Sequence, residues 1–146
     1  MASLLRLQAI GPDHPGRNDP ISGLNTIEIK AFVPARDYER SKAFYQALGF
    51  QLGWTSDELS YFHHGRCSFL LQNFYVKELA ENLMMHLLVD DVDGWWAEVQ
   101  ASGVIERYSV HSVPLQDQSW GMRDFVLIDP SGVLWRIAQN IGEAVA

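Results

Sequence analysis

The chain has 146 residues, the length of one domain with a real core, and its 47% hydrophobic and 20% charged content is ordinary for a globular protein. A formal net charge of −7 argues against nucleic acid and anionic membrane as partners, which recruit concentrated Lys and Arg. It suits a solubilising surface or a cationic ligand. Cys67 is the only cysteine, which rules out an intrachain disulfide and suits a reducing compartment; its setting in RCSFLL reads as a buried strand thiol. The start MASLLRLQAI has no basic segment before a long apolar core, and no apolar run approaches membrane length. The expected location is the cytoplasm.

Residues 1–24 carry Gly11, Pro12, Pro15, Gly16, Pro20 and Gly23 and read as an N-terminal arm. Residues 25–146 read as a single domain. Its first strand is TIEIKAFV, where Ile27, Ile29, Ala31 and Val33 alternate with Thr26, Glu28, Lys30 and Phe32. A helix follows with Asp37 as N-cap and Gly49 as its stop, and three strands fit FQLGW, ELSYFHH and RCSFLLQN. The order then repeats: strand MMHLLV, helix from Asp91 to Gly103, and a final hairpin around Asp129-Pro130-Ser131-Gly132. Asp37 to Gly49 and Asp91 to Gly103 each span twelve positions, and Gly65 to Asn73 and Gly132 to Asn140 each span eight. The second half holds thirteen extra residues, expected around Ser109 to Gln118. The fold class expected is α+β: two βαβββ modules, about 25–83 and 84–140, forming a curved, cup-shaped mixed sheet with helices outside. The sheet face turned away from the helices would line the cup, a natural small-molecule site unless side chains such as Phe32, Phe69 and Trp120 fill it.

Three segments, VPARDYERSKAFYQALGF, HLLVDDVDGWWAEVQASGV and DPSGVLWRI, resemble the vicinal-oxygen-chelate superfamily of glyoxalases, bleomycin resistance proteins and extradiol dioxygenases. WGMRDFVLIDPSG is most similar to the bleomycin-resistance branch. For enzymes of the superfamily, the resemblance implies a divalent metal held by cup-facing residues on the first and fourth strands of each module. Those positions fall on Glu28, His86, Phe69 and Arg136. Phe69 has no donor atom and Arg136 has no lone pair to give, whereas catalytic metal sites keep three protein ligands as a rule. We therefore expect no metal and no cofactor.

Glu28 reads either as a solvated edge carboxylate or as a cup residue paired with Lys30 or Arg136. His86, between Met85 and Leu87, reads as a core histidine or a working base. Arg136 suits a carboxylate or phosphate clamp, or simple neutralisation of Glu28. Among five tryptophans, Trp54 and Trp120 are placed at the cup rim for ligand stacking, Trp135 towards the helices, and Trp95 or Trp96 in the core. Arg123 and Phe125 share a strand face of undetermined direction, and His63 and His64 read as exposed turn residues. The expected ligand-binding set is Glu28, Lys30, Phe32, Trp54, Phe69, His86, Trp120, Arg123, Phe125 and Arg136, with no catalytic residues assigned. The function expected is metal-independent binding and sequestration of a drug-like small molecule, with bleomycin-type drugs as candidates, by a homodimer. The alternatives are a metal-dependent glyoxalase- or dioxygenase-like enzyme, and a metal-free enzyme using Glu28 and His86 as acid and base.

Overall fold

The structure, a computed structural model, describes residues 23–142; the arm expected over residues 1–24 lies almost entirely outside them. In chain order the elements are β1 (Phe32–Pro34), α1 (Tyr38–Leu48), β2 (Gln51–Thr55), β3 (Leu59–His64), β4 (Cys67–Gln72), α2 (Lys77–Ala80), β5 (Met84–Leu88), α3 (Val92–Ser102), α4 (Val104–Arg107), β6 (Ser112–Asp117), β7 (Met122–Ile128) and β8 (Leu134–Asn140). They form two four-stranded mixed sheets, ordered β1-β4-β3-β2 and β5-β8-β7-β6, with helices packed around them. β1 runs parallel to β4 and β5 to β8, while the other pairs are antiparallel. Among the described residues β1 and β5 are therefore edge strands.

The helix ends follow the sequence signals. Asp37 accepts from Arg40 N and Asp91 from Gly94 N, each satisfying an orphan amide of the first turn. Gly49 and Gly103 close α1 and α3 at φ of 115° and 70°, a left-handed geometry that glycine adopts without a Cβ penalty.

Each sheet buries one face. Val33, Phe62, Phe69 and Leu71 from the first sheet and Leu87, Phe125, Leu127, Trp135 and Ile137 from the second join Phe44, Tyr45, Val92 and Val99 of α1 and α3 in one apolar cluster. Tyr45 is its hub. Its ring meets Phe62, Phe69 and Trp135 at centroid distances of 5.8, 4.8 and 5.6 Å. The two sheets thus share a core through their helix-side faces, and the opposite face of each stays open.

Three local expectations are corrected. The first strand is shorter than the Thr26–Val33 alternation suggests. Backbone pairing stops where Leu70 N donates to Ala31 O, so Val33 is fully buried while Ile27 and Ile29 stay 98% and 94% exposed. Cys67 is exposed at the start of β4 rather than buried. The extra residues of the second half do not form one loop at Ser109 to Gln118. Part of that stretch is β6, and α4 with the turn after it takes up much of the added length.

Candidate functional site

The open face of the first sheet carries a row of aromatic rings. Regular alternation along β2 would turn Trp54 towards the helices, but a bulge between Leu52 and Trp54 brings it opposite Tyr61. Trp54 and Tyr61 then stack at 6.2 Å and 13°, and Tyr61 and His63 at 5.7 Å and 27°. Gly53 makes the bulge fit, because a Cβ there would lie 2.7 Å from Tyr61 Cδ2. Beside the rings, Glu28 accepts from Lys30 Nζ at 2.7 Å, from Ser68 Oγ at 2.5 Å and from Tyr61 Oη at 3.3 Å. These donors, Lys30 first, hold the Glu28 carboxyl below its ordinary pKa. Lys30 Nζ also lies 5.4 Å from the Tyr61 ring centroid. Phe32 shares this face and is 56% exposed.

The open face of the second sheet is organised around a guanidinium. The register places His86, Arg136, Val126 and Val113 in one row across β5, β8, β7 and β6. Arg136 Nη1 donates at 2.9 Å to Asp124 Oδ2, and Gln118 Nε2 donates at 3.0 Å to Asp124 Oδ1. Asp124 is 2% exposed and the Arg136 side chain 26%. A nearly buried carboxylate thus holds Arg136 from behind. His86 is held below its ordinary pKa, first by local desolvation and then by the Arg136 charge, so its ring is neutral at neutral pH. Met84 and Leu88 flank the row and Val113 ends it, all three as exposed apolar side chains.

The expected site residues thus divide into several places. Glu28, Lys30, Phe32 and Trp54 lie on the first open face, and His86 and Arg136 on the second. Trp120, half-buried, sits in the turn between β6 and β7. Phe69 is a correction: it is 1% exposed and packs against Tyr45 and Trp135 in the core, not the cup. Arg123 and Phe125 are corrected too. Their face of β7 points at α3, where Arg123 bonds Asp93 and Asp117 and Phe125 meets Trp96 at 5.0 Å. Arg136 is paired with Asp124 rather than Glu28, whose cationic partner is Lys30. Tyr61, His63, Ser68, Gln118 and Asp124 were missed. The alternation in LSYFHH already puts Tyr61 and His63 on one face, and a lone acid inside the strand MRDFVLI marks Asp124.

Among the described residues, no three His, Cys, Asp or Glu side chains converge as metal ligands. Of the donors that the resemblance offers, Glu28 lies in the segment before β1, bonded to Ser68 and Tyr61 of the first sheet, and His86 lies on β5 of the second. A hollow of about 500 Å³ lies elsewhere, between the end of α1, the β3–β4 turn and the start of α3, lined by His64, Asp90, Trp95 and Glu98 among others. None of the expected site residues lines it.

Residues 23–137 match the family model described as the Glyoxalase/Bleomycin resistance protein/Dioxygenase superfamily, and the chain belongs to that superfamily. A bleomycin resistance protein of Klebsiella pneumoniae is 30% identical over 115 residues, which is 74% of this chain and 88% of that one. A crystal structure of a bleomycin-binding protein complexed with bleomycin superposes with a TM-score of 0.68 at 25% identity, over 79% of this chain and 99% of that one. A lactoylglutathione lyase from Agrobacterium tumefaciens shares the fold at a TM-score of 0.59 and 17% identity, over 83% of this chain and 96% of that one.

Proposed function

We propose that this protein binds and sequesters a drug-like small molecule with an aromatic part, without a metal and without altering the ligand covalently. The carrying observation is the apolar surface left on the open faces. Phe32, Trp54, Met84, Leu88 and Val113 are between 42% and 58% exposed, on the same faces as Lys30, His86 and Arg136. A domain of this size rarely leaves so many large apolar groups around positioned polar ones unless something binds there. The Klebsiella relative supports a drug as ligand.

The same surface supports a homodimer. Among the described residues β1 and β5 are both edge strands, and an edge strand offers backbone groups for pairing. Apposing β1 of one chain to β5 of another would join the first sheet's open face to the second sheet's in one cup, twice over by symmetry. Glu28 and the aromatic row would then face the His86 and Arg136 of the partner chain.

Isothermal titration tests the drug directly. Saturable heat with bleomycin would assign the ligand, and its recovery unchanged from the complex would support sequestration. Absence of heat with protein at roughly tens of micromolar, where a micromolar complex forms readily, removes bleomycin as the ligand. Metal analysis of protein purified without chelator is expected to find well under one ion per chain. Near-stoichiometric Zn, Ni, Mn or Fe would overturn the metal-free reading.

A further inference from the structure

The second open face has a chemical preference of its own. The Arg136 guanidinium makes one hydrogen bond to the described residues, from Nη1 to Asp124 Oδ2. Asp124 is satisfied by that bond together with the one from Gln118 Nε2. The pairing anchors the guanidinium at Nη1 and leaves Nε and Nη2 with no partner among the described residues. A guanidinium anchored at one nitrogen, with the N–H donors of its Nε–Nη2 edge left over, can offer two parallel bonds to an oxyanion.

The neighbours fit that role. His86 stands beside Arg136 on β5 and offers a ring N–H. No carboxylate other than Asp124 lies in the strand row that holds Arg136 or in the next one, which runs Leu88, Ala138, Asp124 and Gln116. Around the polar centre, Met84, Leu88 and Val113 are 58%, 47% and 42% exposed and form an apolar rim. Charge neutralisation of Asp124 alone would not require a guanidinium that remains 26% exposed on a binding face.

We propose that Arg136, held by Asp124 and flanked by His86, is a subsite for an anionic group, a carboxylate, sulfonate or phosphate, carried on an apolar or aromatic ligand. This rests on the small-molecule-binding reading above and specifies the charge of its ligand.

Two fluorescent dyes form a matched test: anilinonaphthalene sulfonate, and N-phenylnaphthylamine, which has the same rings without the sulfonate. The wild-type protein should bind the sulfonate about tenfold or more tightly than the uncharged dye, a preference of about 1.4 kcal/mol. Arg136→Gln alone strands the buried Asp124, so the informative variant is Asp124→Asn with Arg136→Gln, its folding checked by circular dichroism. That double variant should lose the preference for the sulfonate, the two dyes then binding with similar affinity. Equal binding of both dyes by the wild type, or an unchanged preference in the double variant, overturns the anion subsite while leaving the binding reading intact. If neither dye binds the folded wild type with saturation, the subsite falls, and the sequestration reading stands or falls with the bleomycin titration.

Discussion

At Tyr45 one hydroxyl donates to Asp129 Oδ2 at 2.5 Å and accepts from Trp135 Nε1 at 2.8 Å, so a side chain on α1 is bonded to both the β7–β8 turn and β8. Asp129 also accepts from Ser131 N and Val133 N, which sets the turn. Replacing Tyr45 with Phe keeps the ring and leaves two buried polar groups short of a partner, at a cost of about 1–3 kcal/mol. Chemical denaturation should show a lower midpoint with an unchanged slope. Burial raises the Asp129 pKa above its ordinary value, with the hydrogen bonds from Tyr45, Val133 and Ser131 opposing the shift. A raised folded-state pKa gives stability that is full below the unfolded value of 3.8 and is lost as pH rises through the folded value. The stability of the wild type relative to Asp129→Asn should therefore fall as pH rises from that value towards neutrality. A difference that is flat or grows with pH would contradict this.

Residue-level reading from sequence succeeded where chemistry or alternation decides. Trp135 faces the core and Arg136 the opposite side, as their adjacency on a strand requires. It failed at Phe69 because the two hairpins were aligned on their glycines. Cys67 pairs with His64 across a two-residue turn, whereas Leu134 pairs with Ile128 across five residues. Strand residues at equal distance from Gly65 and Gly132 therefore point to opposite faces, and a slip of one residue moves a side chain from cup to core. Asp124 was missed as the partner of Arg136 for a related reason: a cross-strand diagonal exists only once the register is known.

At the scale of elements, both helices and the strand succession were legible because caps, stops and alternation are local signals. The bulge in β2 was not, since it depends on how β2 lies against β3. Gly53 is the element's critical residue, and Gly53→Ala should push Tyr61 out of the stack on Trp54. Losing such a pair is worth about 0.5–1.5 kcal/mol. If the row is a ligand platform, the affinity for N-phenylnaphthylamine should drop by about tenfold or less, together with a fall of roughly 2–6 °C in thermal midpoint. Undiminished affinity would remove the aromatic row from the site. The edges of β1 were likewise beyond the sequence: TIEIKAFV has strand composition throughout, but among the described residues only Phe32–Pro34 pairs as a strand.

For the whole molecule, the superfamily fold was legible from three short segments, while the way its open faces are used was not. The spacing of the repeat is blind to which faces meet. Here the two sheets of one chain meet through their helix sides, and exposed apolar side chains remain on both open faces. A dimer is therefore expected. Sedimentation velocity should show a dimer, and Leu88→Asp, which puts a charge on the edge strand β5, should shift it to monomer with its circular dichroism unchanged. A wild-type protein that stays monomeric at roughly tens of micromolar, a concentration at which a micromolar dimer would be populated, would contradict the joined cup.

A crystal structure with anilinonaphthalene sulfonate bound would locate the ligand. The dye should lie between two chains, its rings against Tyr61 of one subunit and its sulfonate on the partner subunit's Arg136. Dye seated in the hollow beside Trp95, with both open faces empty, would contradict that placement.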